Sequence, residues 1–278
     1  MIPVPDTSRL QPDTQFHIAF YKFVTLDDVD AVVMRLRLLT RTLLGSILVA
    51  SEGINGVLAG PLPALETFQT ALREDPRFAD ITFKRSACTT APFGRIKVHK
   101  KTEIVYMGVD HVDAVRKTGV SVSPQQWREL IAADDVVVID NRNSFEYRLG
   151  KFNQAVDPQV ANFRDFPAYI EANAPAWQAA GKRVAMYCTG GIRCEKTSAW
   201  MHDMGIEVYQ LEGGILNYFQ TIPDAAKDWQ GECFVFDNRI ALDTRLQETA
   251  TTLDDVYDGE PDGEWRLQRA RRLDQSRE

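Results

Sequence analysis

The sequence lacks any apolar run long enough to cross a membrane. No stretch reaches the roughly 18 apolar residues that a membrane-spanning helix requires. The opening segment, MIPVPDTSRLQPDTQ, has no apolar centre of the kind found in a secretory signal peptide. We therefore expect a cytoplasmic protein without a membrane partner.

Cysteine and histidine are scarce, with four of each among 278 residues. The cysteines contain no Cys-x-x-Cys pair and the histidines are scattered, so we expect no zinc site or other metal site. In a reducing cytoplasm the cysteines are expected to be free thiols. They are Cys88, Cys188, Cys194 and Cys233.

The net charge of −7 argues against nucleic-acid binding, but the charges are uneven along the chain. Segment 84–101 contains basic residues and no acidic residue. It can either neutralise the phosphates of a nucleic acid or form a strand edge protected by solvated lysines. Its basic residues are Lys84, Arg85, Arg95, Lys97, Lys100 and Lys101.

Residues 1–115 show the pattern of a ferredoxin-like α+β domain; a family resemblance described below implies a ferredoxin-like or acylphosphatase-like domain here. Alternating or apolar runs predict strands at 16–23, 46–50, 57–59 and 81–85. Apolar residues at helical spacing predict one helix with Thr25 as its N-cap and another over 62–74. The resulting order is β-α-β-β-α-β.

Residues 120–232 predict an α/β domain with a central parallel sheet. Near-continuous apolar strands at 136–142, 183–188 and 207–215 alternate with helical patterns. We expect residues 233–278 to form a C-terminal extension. Its charged composition favours partial disorder after about residue 245.

The segment CTGGIRC, residues 188–194, follows a predicted strand and precedes a predicted helix. Glycine amides and the helix N-terminus can surround Cys188 with positive ends of dipoles, which favours a solvent-reachable thiolate nucleophile. Arg193 is expected to offer its forked donors to an anion at the rim. The active-site loop would comprise Thr189, Gly190, Gly191, Ile192, Arg193 and Cys194.

Structural roles remain open for several of these residues. In the absence of such a loop, Cys188 would be interpreted as a small core residue. Cys194 either reacts with an oxidised Cys188 as a resolving cysteine or is a buried residue of the first helical turn. A second set, Asp140, Arg142 and Glu146, is expected to brace the loop through ion pairs. The turn SEGING at 51–56 either builds a hairpin or faces the second domain or RNA.

The run VVVIDNRNSFEY, followed by CTGGIR and LEGGI, resembles a rhodanese domain. The Cys-x4-Arg spacing from Cys188 to Arg193 is similar to that of rhodaneses. In related phosphatases the arginine comes one position later, where this chain has Cys194. Phosphatase chemistry is therefore disfavoured.

Further segments extend the resemblance over residues 16–245 to the bacterial tRNA uridine(34) hydroxylases. These include ASEGINGVLAG, GRIKVHKKTEIVYMG, FRDFPAYI and WQGECFVFDNRIAL. The resemblance implies oxygen-dependent 5-hydroxylation of the wobble uridine, Cys188 as the catalytic residue, and the tRNA anticodon loop as partner. Molecular oxygen would be the co-substrate, and the sequence shows no flavin, haem or iron motif.

Two features depart from the family pattern. Family members often carry a longer C-terminal region with additional cysteines, whereas this chain has an acidic tail that ends in arginines. Asn141 stands where many rhodaneses have an apolar residue. Two other hypotheses stay open: a rhodanese-type sulfurtransferase with a persulfide on Cys188, and a non-enzymatic RNA-binding or partner-binding module.

Overall fold

The structure of the protein is a computed structural model that describes residues 15–275, with side chains up to residue 271. The first 14 residues of the predicted domain 1–115, and the last three of the predicted extension 233–278, lie outside the described residues. Within the described part, no helix is long and apolar enough to cross a membrane.

The N-terminal domain is a five-stranded sheet with two helices on one face. Its elements are β1 (Gln15–Phe23), α1 (Val29–Leu39), β2 (Leu44–Ala50), β3 (Gly53–Gly60), α2 (Leu62–Arg73), β4 (Lys84–Cys88) and β5 (Ile96–Lys100). The strand order is β4-β1-β3-β2-β5. The first four strands pair antiparallel, which confirms the ferredoxin-like prediction.

Three local predictions in this domain need correction. Helix α1 begins after Asp28 rather than after Thr25. The fourth strand lies at 84–88 rather than 81–85, because Ile81 fills the helix-side core before the strand begins. Strand β5 was not predicted from the sequence; it pairs parallel to β2 and forms the second edge of the sheet.

The two faces of this sheet have different surroundings, because successive side chains on a strand point to opposite faces. Ile18 and Phe20 of β1 pack into the core formed with the two helices. Their neighbours His17, Ala19 and Tyr21 line a cavity on the other side. We call this second side the open face, and it is turned toward the second domain.

The second domain contains an all-parallel sheet, which confirms that prediction. The sheet has four strands, in the order β6-β10-β9-β7. The strands of this sheet are β6 (Val120–Val122), β7 (Val136–Asp140), β9 (Arg183–Tyr187) and β10 (Val208–Leu211). A separate antiparallel pair consists of β8 (Gly150–Phe152) and β11 (Trp229–Gly231). The helices of the domain are α3 (Pro124–Ile131), α4 (Ser144–Leu149), α5 (Phe166–Ala179), α6 (Ile192–Asp203) and α7 (Gly214–Thr221).

The C-terminal segment differs from the expectation of partial disorder after about residue 245. It contains β12 (Cys233–Phe234), β13 (Ala241–Leu242), α8 (Leu253–Tyr257) and α9 (Gly263–Gln275). Val256 is buried in a cluster with Phe145 and Phe234. Arg148 Nη2 donates to the carbonyl of Val256 at 2.6 Å. These contacts with the second domain order a segment that is too charged to form its own core.

A buried lysine joins the two domains. Lys196 on α6 is 1% exposed, and its Nζ lies 2.7 Å from Glu52 Oε2 and 2.6 Å from Glu103 Oε2. Glu52 lies in the two-residue turn 51–52 between β2 and β3, whereas the rest of the predicted turn SEGING belongs to β3. The turn faces the second domain, one of the alternatives left open by the sequence. The ion pairs fix the orientation of the open face toward α6.

Candidate active site

Cys188 directly follows strand β9 and begins a short loop that ends at the start of α6. Gly191 has φ +102°, a conformation that L side chains rarely adopt, and its N–H donates to Cys188 Sγ at 3.1 Å. Helix α6 begins at Ile192, so the last three residues of the predicted loop, 192–194, belong to the helix. The loop amide and the helix N-terminus therefore surround the sulfur as expected.

The glycine turn after β10 packs directly against the cysteine loop. The amide of Ile215 donates to the carbonyl of Cys188 at 3.0 Å, and Leu216 donates to Thr189 at 3.2 Å. A Cβ on Gly214 would lie 2.4 Å from the Cys188 carbonyl oxygen. Glycine is required here because the two backbones approach too closely for a side chain.

The surroundings of Cys188 favour its thiolate. Burial by itself would raise the pKa, but a hydrogen bond from Cys194, the charge of Arg193 and the backbone amides of Cys194 and Gly191 lower it well below its ordinary value. The residue is only 1% exposed, so the expected solvent-reachable sulfur is not observed. Cys188 nevertheless forms part of the wall of a cavity.

Cys194 is the hydrogen-bonding partner of that thiolate. It is 1% exposed, and burial together with the adjacent Cys188 raises its pKa well above the ordinary value. It therefore stays a thiol and donates its proton. The atypical Asn141 lies behind it: its Nδ2 is 4.0 Å from Cys194 Sγ and donates to Thr197 Oγ1 at 2.9 Å.

Arg193 does not offer its forked donors to an anion at the rim, which corrects the sequence-based expectation. Its Nη1 and Nη2 lie 2.7 Å and 2.9 Å from the two carboxylate oxygens of the buried Glu146. Asp140 and Arg142 form a second buried pair, with Nη2 2.6 Å from Oδ2. The predicted bracing of the loop holds for Glu146, which pairs with Arg193 of the loop. The Asp140–Arg142 pair instead contacts the Tyr187 hydroxyl and the Gly150 carbonyl.

A cavity of about 980 Å³ separates the cysteine loop from the open face of the N-terminal sheet. Tyr21 from β1 donates its hydroxyl proton to Glu195 Oε2 at 2.8 Å across this gap. The C-terminal segment adds Phe236, which is 63% exposed and lies 5.8 Å from the Arg193 guanidinium. All three parts of the chain therefore build the site.

Sequence reasoning missed Tyr21, Glu195 and Phe236. For Tyr21 a signal was present, since strand alternation places it opposite the core residue Phe20. Glu195 and Phe236 carried no such signal, because their contacts depend on how the domains and the extension pack together.

The predicted tRNA-binding residues do not form one patch. Lys84 contacts the cysteine loop, Arg85 lies 3.5 Å from Glu66 of α2, and Lys100 lies 2.8 Å from Asp30. Lys84 and Arg85 are on edge strand β4, whereas Lys97 and Lys100 are on the opposite edge strand β5. Lys101 directly follows β5 and is exposed.

Strand β5 borders a second, strongly basic depression of about 750 Å³. Arg95 and Lys97 line it together with Arg37, Arg41 and His99. None of the residues that line it is acidic. The positive charge of segment 84–101 is therefore concentrated at the β5 edge of the sheet.

Comparisons with known proteins match both domains. Residues 16–104 match the family described as UPF0176 acylphosphatase like domain, and residues 123–221 match the rhodanese-like domain. The two matches cover the N-terminal sheet and the cysteine loop with its parallel sheet.

Curated relatives match most of the chain. A tRNA uridine(34) hydroxylase from Legionella pneumophila (strain Paris) is 43% identical over 244 residues, covering 86% of this chain and 94% of that protein. One from Synechococcus elongatus is 48% identical over 233 residues, covering 83% and 86%. A two-domain chain whose cysteine loop faces an acylphosphatase-like sheet, with this degree of identity, belongs to the tRNA uridine(34) hydroxylase family.

Proposed function

We propose that this protein hydroxylates C5 of the wobble uridine, U34, in tRNA, in an oxygen-dependent reaction that requires Cys188. The observation that carries the proposal is the Cys188 thiolate at the wall of a cavity built by both domains. Burial raises the pKa of each of the other three cysteines, so Cys188 is the activated nucleophile among them.

The cavity suits a single nucleotide taken out of a stack. Its volume of about 980 Å³ lies at the upper end of the ~300–1,000 Å³ typical of small-ligand pockets. Anticodon bases lie in a single-stranded loop and can be splayed into a protein pocket at modest energetic cost. The N-terminal sheet forms one wall, which gives this domain a direct role in holding the anticodon loop.

The open face of the N-terminal sheet supplies a path for the RNA backbone. The register pairs Ser46 with Lys97 and Leu48 with His99, so these β5 side chains share the face that lines the cavity. We infer that tRNA phosphates contact the β5 edge while U34 enters the cavity. Lys97→Met should weaken tRNA binding and reduce the salt slope by about one; Lys182→Met, in the second domain, serves as control.

The reaction converts C5–H into C5–OH. One atom of molecular oxygen enters the base, and the other leaves as water, which takes two protons and two electrons from a two-electron reductant. Cys188 contributes the reactive thiolate, while Glu146 and Arg193 hold its loop. The role of the chain in this proposal is to bind the uridine, orient it and exclude bulk water from the sulfur.

The test is nucleoside mass spectrometry of tRNA from a strain that lacks the gene for this protein. Complementation with wild type or with Cys88→Ser should restore 5-hydroxyuridine, whereas Cys188→Ser should not. Cys88 is a suitable control because it is a buried thiol with a raised pKa on β4. Normal 5-hydroxyuridine with Cys188→Ser, at equal protein levels, contradicts the proposed role of Cys188.

The same strains discriminate the sulfurtransferase hypothesis. The strain complemented with wild-type protein and grown without oxygen should contain tRNA without 5-hydroxyuridine. Saturable thiosulfate–cyanide turnover, with tRNA composition unchanged by deletion of the gene, would instead favour sulfur transfer from a persulfide on Cys188.

A further inference from the structure

Lys84 reaches from the N-terminal domain into the cysteine loop of the second domain. The register of β1 and β4 pairs it with Ala19, which places it on the open face. Its Nζ donates to the carbonyl of Gly190 and, at 2.7 Å, to that of Gly213. One ammonium group thus joins the two glycine turns that surround Cys188.

The charge of Lys84 is less compensated than that of Arg193. Arg193 forms a two-point ion pair with Glu146, whereas both hydrogen-bond acceptors of Lys84 are neutral carbonyls. Within residues 15–271, no carboxylate oxygen lies within ion-pair distance of Lys84 Nζ. Burial lowers the pKa of Lys84 to about 8, against the charges of Cys188, Glu195 and Glu212, so the group is mainly protonated at neutral pH.

An ammonium group has three N–H donors, and two of them are used by the glycine carbonyls. Its positive charge therefore faces the cavity beside Cys188 without a carboxylate in contact. The charges of Lys84 and Cys188 interact, since the charge of Cys188 raises the pKa of Lys84. A positive charge near a thiol favours the ionised form of that thiol.

We propose that Lys84 is a positioning residue that the N-terminal domain supplies to the Cys188 site: it ties the cysteine loop to the Gly213–Gly214 turn and keeps Cys188 ionised. The proposal deepens the proposed function and rests on it, since hydroxylation gives the thiolate its purpose. It makes the N-terminal domain a structural part of the active site rather than an RNA-binding attachment alone.

The test measures the rate at which iodoacetamide alkylates Cys188 as a function of pH, by mass spectrometry of the Cys188 peptide. Lys84→Met removes both the charge and the donors, whereas Lys84→Gln removes the charge and keeps an N–H donor. Both should shift the apparent pKa of Cys188 upward by about one unit, which makes alkylation about tenfold slower at a pH well below the wild-type pKa, where the thiolate is the minor form, and changes it little well above both pKa values.

Lys22→Met is the matched control. Lys22 lies on the neighbouring strand β1, next to Tyr21 in sequence, but pairs with Asp80 away from the cavity. Its alkylation profile should equal that of wild type. If Lys84→Gln alkylates with the same pH profile as wild type, the charge of Lys84 does not keep Cys188 ionised and the proposal is overturned. This holds even if Lys84→Met shifts the profile.

Lys84→Gln also decides the matter if Lys84→Met does not fold. Failure of the proposed function is a separate result, because it would be seen as normal 5-hydroxyuridine with Cys188→Ser. That outcome does not alter the alkylation rates, so the two failures can be distinguished.

Discussion

Arg193 and Glu146 face each other through two parallel hydrogen bonds, 2.7 Å and 2.9 Å long, beneath the cysteine loop. Glu146 is completely buried, and burial would raise its pKa, but the charge and hydrogen bonds of Arg193 lower it overall. The pair is 47 positions apart in sequence and connects α4 to α6. It therefore holds the loop in place and is not available to a substrate.

Removing the charge of Glu146 should destabilise the protein strongly. We expect Glu146→Gln to lower the free energy of unfolding by about 3 kcal/mol, because Arg193 is left buried without its counter-charge. Urea unfolding measures this change. Glu66→Gln, which alters an exposed pair with Arg85, should change it by less than about 1 kcal/mol. Equally small losses for both variants would show that the buried pair does not stabilise the loop.

The thiol of Cys194 should control the ionisation of Cys188. We expect Cys194→Ala to raise the apparent pKa of Cys188, because the hydrogen bond to its thiolate is lost. Cys194→Ser keeps a hydroxyl donor and should stay close to wild type. Alkylation of Cys188 across a pH series provides the measurement.

The same pair of variants separates the two roles left open for Cys194. A resolving cysteine is needed for a disulfide, so its loss would abolish activity in Cys194→Ser as well as in Cys194→Ala. Hydroxylation that survives in the serine variant and falls in the alanine variant identifies Cys194 as a hydrogen-bond donor.

Gly191 should tolerate alanine less well than Gly205 does. Both have positive φ, so alanine costs about 1–2 kcal/mol of backbone strain at either position. At Gly191 the added Cβ would also lie 2.9 Å from the Tyr21 hydroxyl, whereas at Gly205 nothing lies within 4 Å. Thermal unfolding should therefore show a larger loss for Gly191→Ala, together with slower alkylation of Cys188. Matching losses would mean that the loop shifts freely away from Tyr21.

His17 should make stability depend on pH between about 4 and 6.5. Burial first, and then the charge of Arg239, lower its pKa to about 4, although Asp237 opposes this at 3.6 Å. The unfolded chain therefore binds a proton that the folded protein does not. The neutral imidazole contributes stability that is fully present above pH 6.5 and is lost as the pH falls toward 4.

The size of that effect is about 3 kcal/mol, from a pKa difference of about 2.5 units at a buried position. His17→Phe removes the titrating group. Urea unfolding at a series of pH values should show a flatter slope for the variant over this range. A slope equal to that of wild type would place the acid sensitivity elsewhere.

The order of the elements could be predicted from local patterns. Apolar alternation found β1, a continuous apolar run found β9, and helical spacing found α2. Strand β5 was not predicted because its lysines interrupt the apolar alternation by which strands are recognised; such lysines are common on edge strands. Helix α8 was missed because its apolar Val256 is buried against Phe145 of the second domain, a contact that the local sequence pattern does not show.

The sequence by itself determined the local chemistry around Cys188. The amide of Gly191 donates to the sulfur of Cys188, three positions away. Because the strand end, the glycines and the helix N-terminus are adjacent in sequence, this arrangement needs no distant contact. Only the tertiary structure decided which partners the charged side chains around Cys188 have. Arg193 became a brace because Glu146 lies opposite, and Lys84 meets Gly190, 106 positions away, because the two domains dock. Charged side chains are long and pair with whatever folding places within reach, so composition and spacing could not assign their partners.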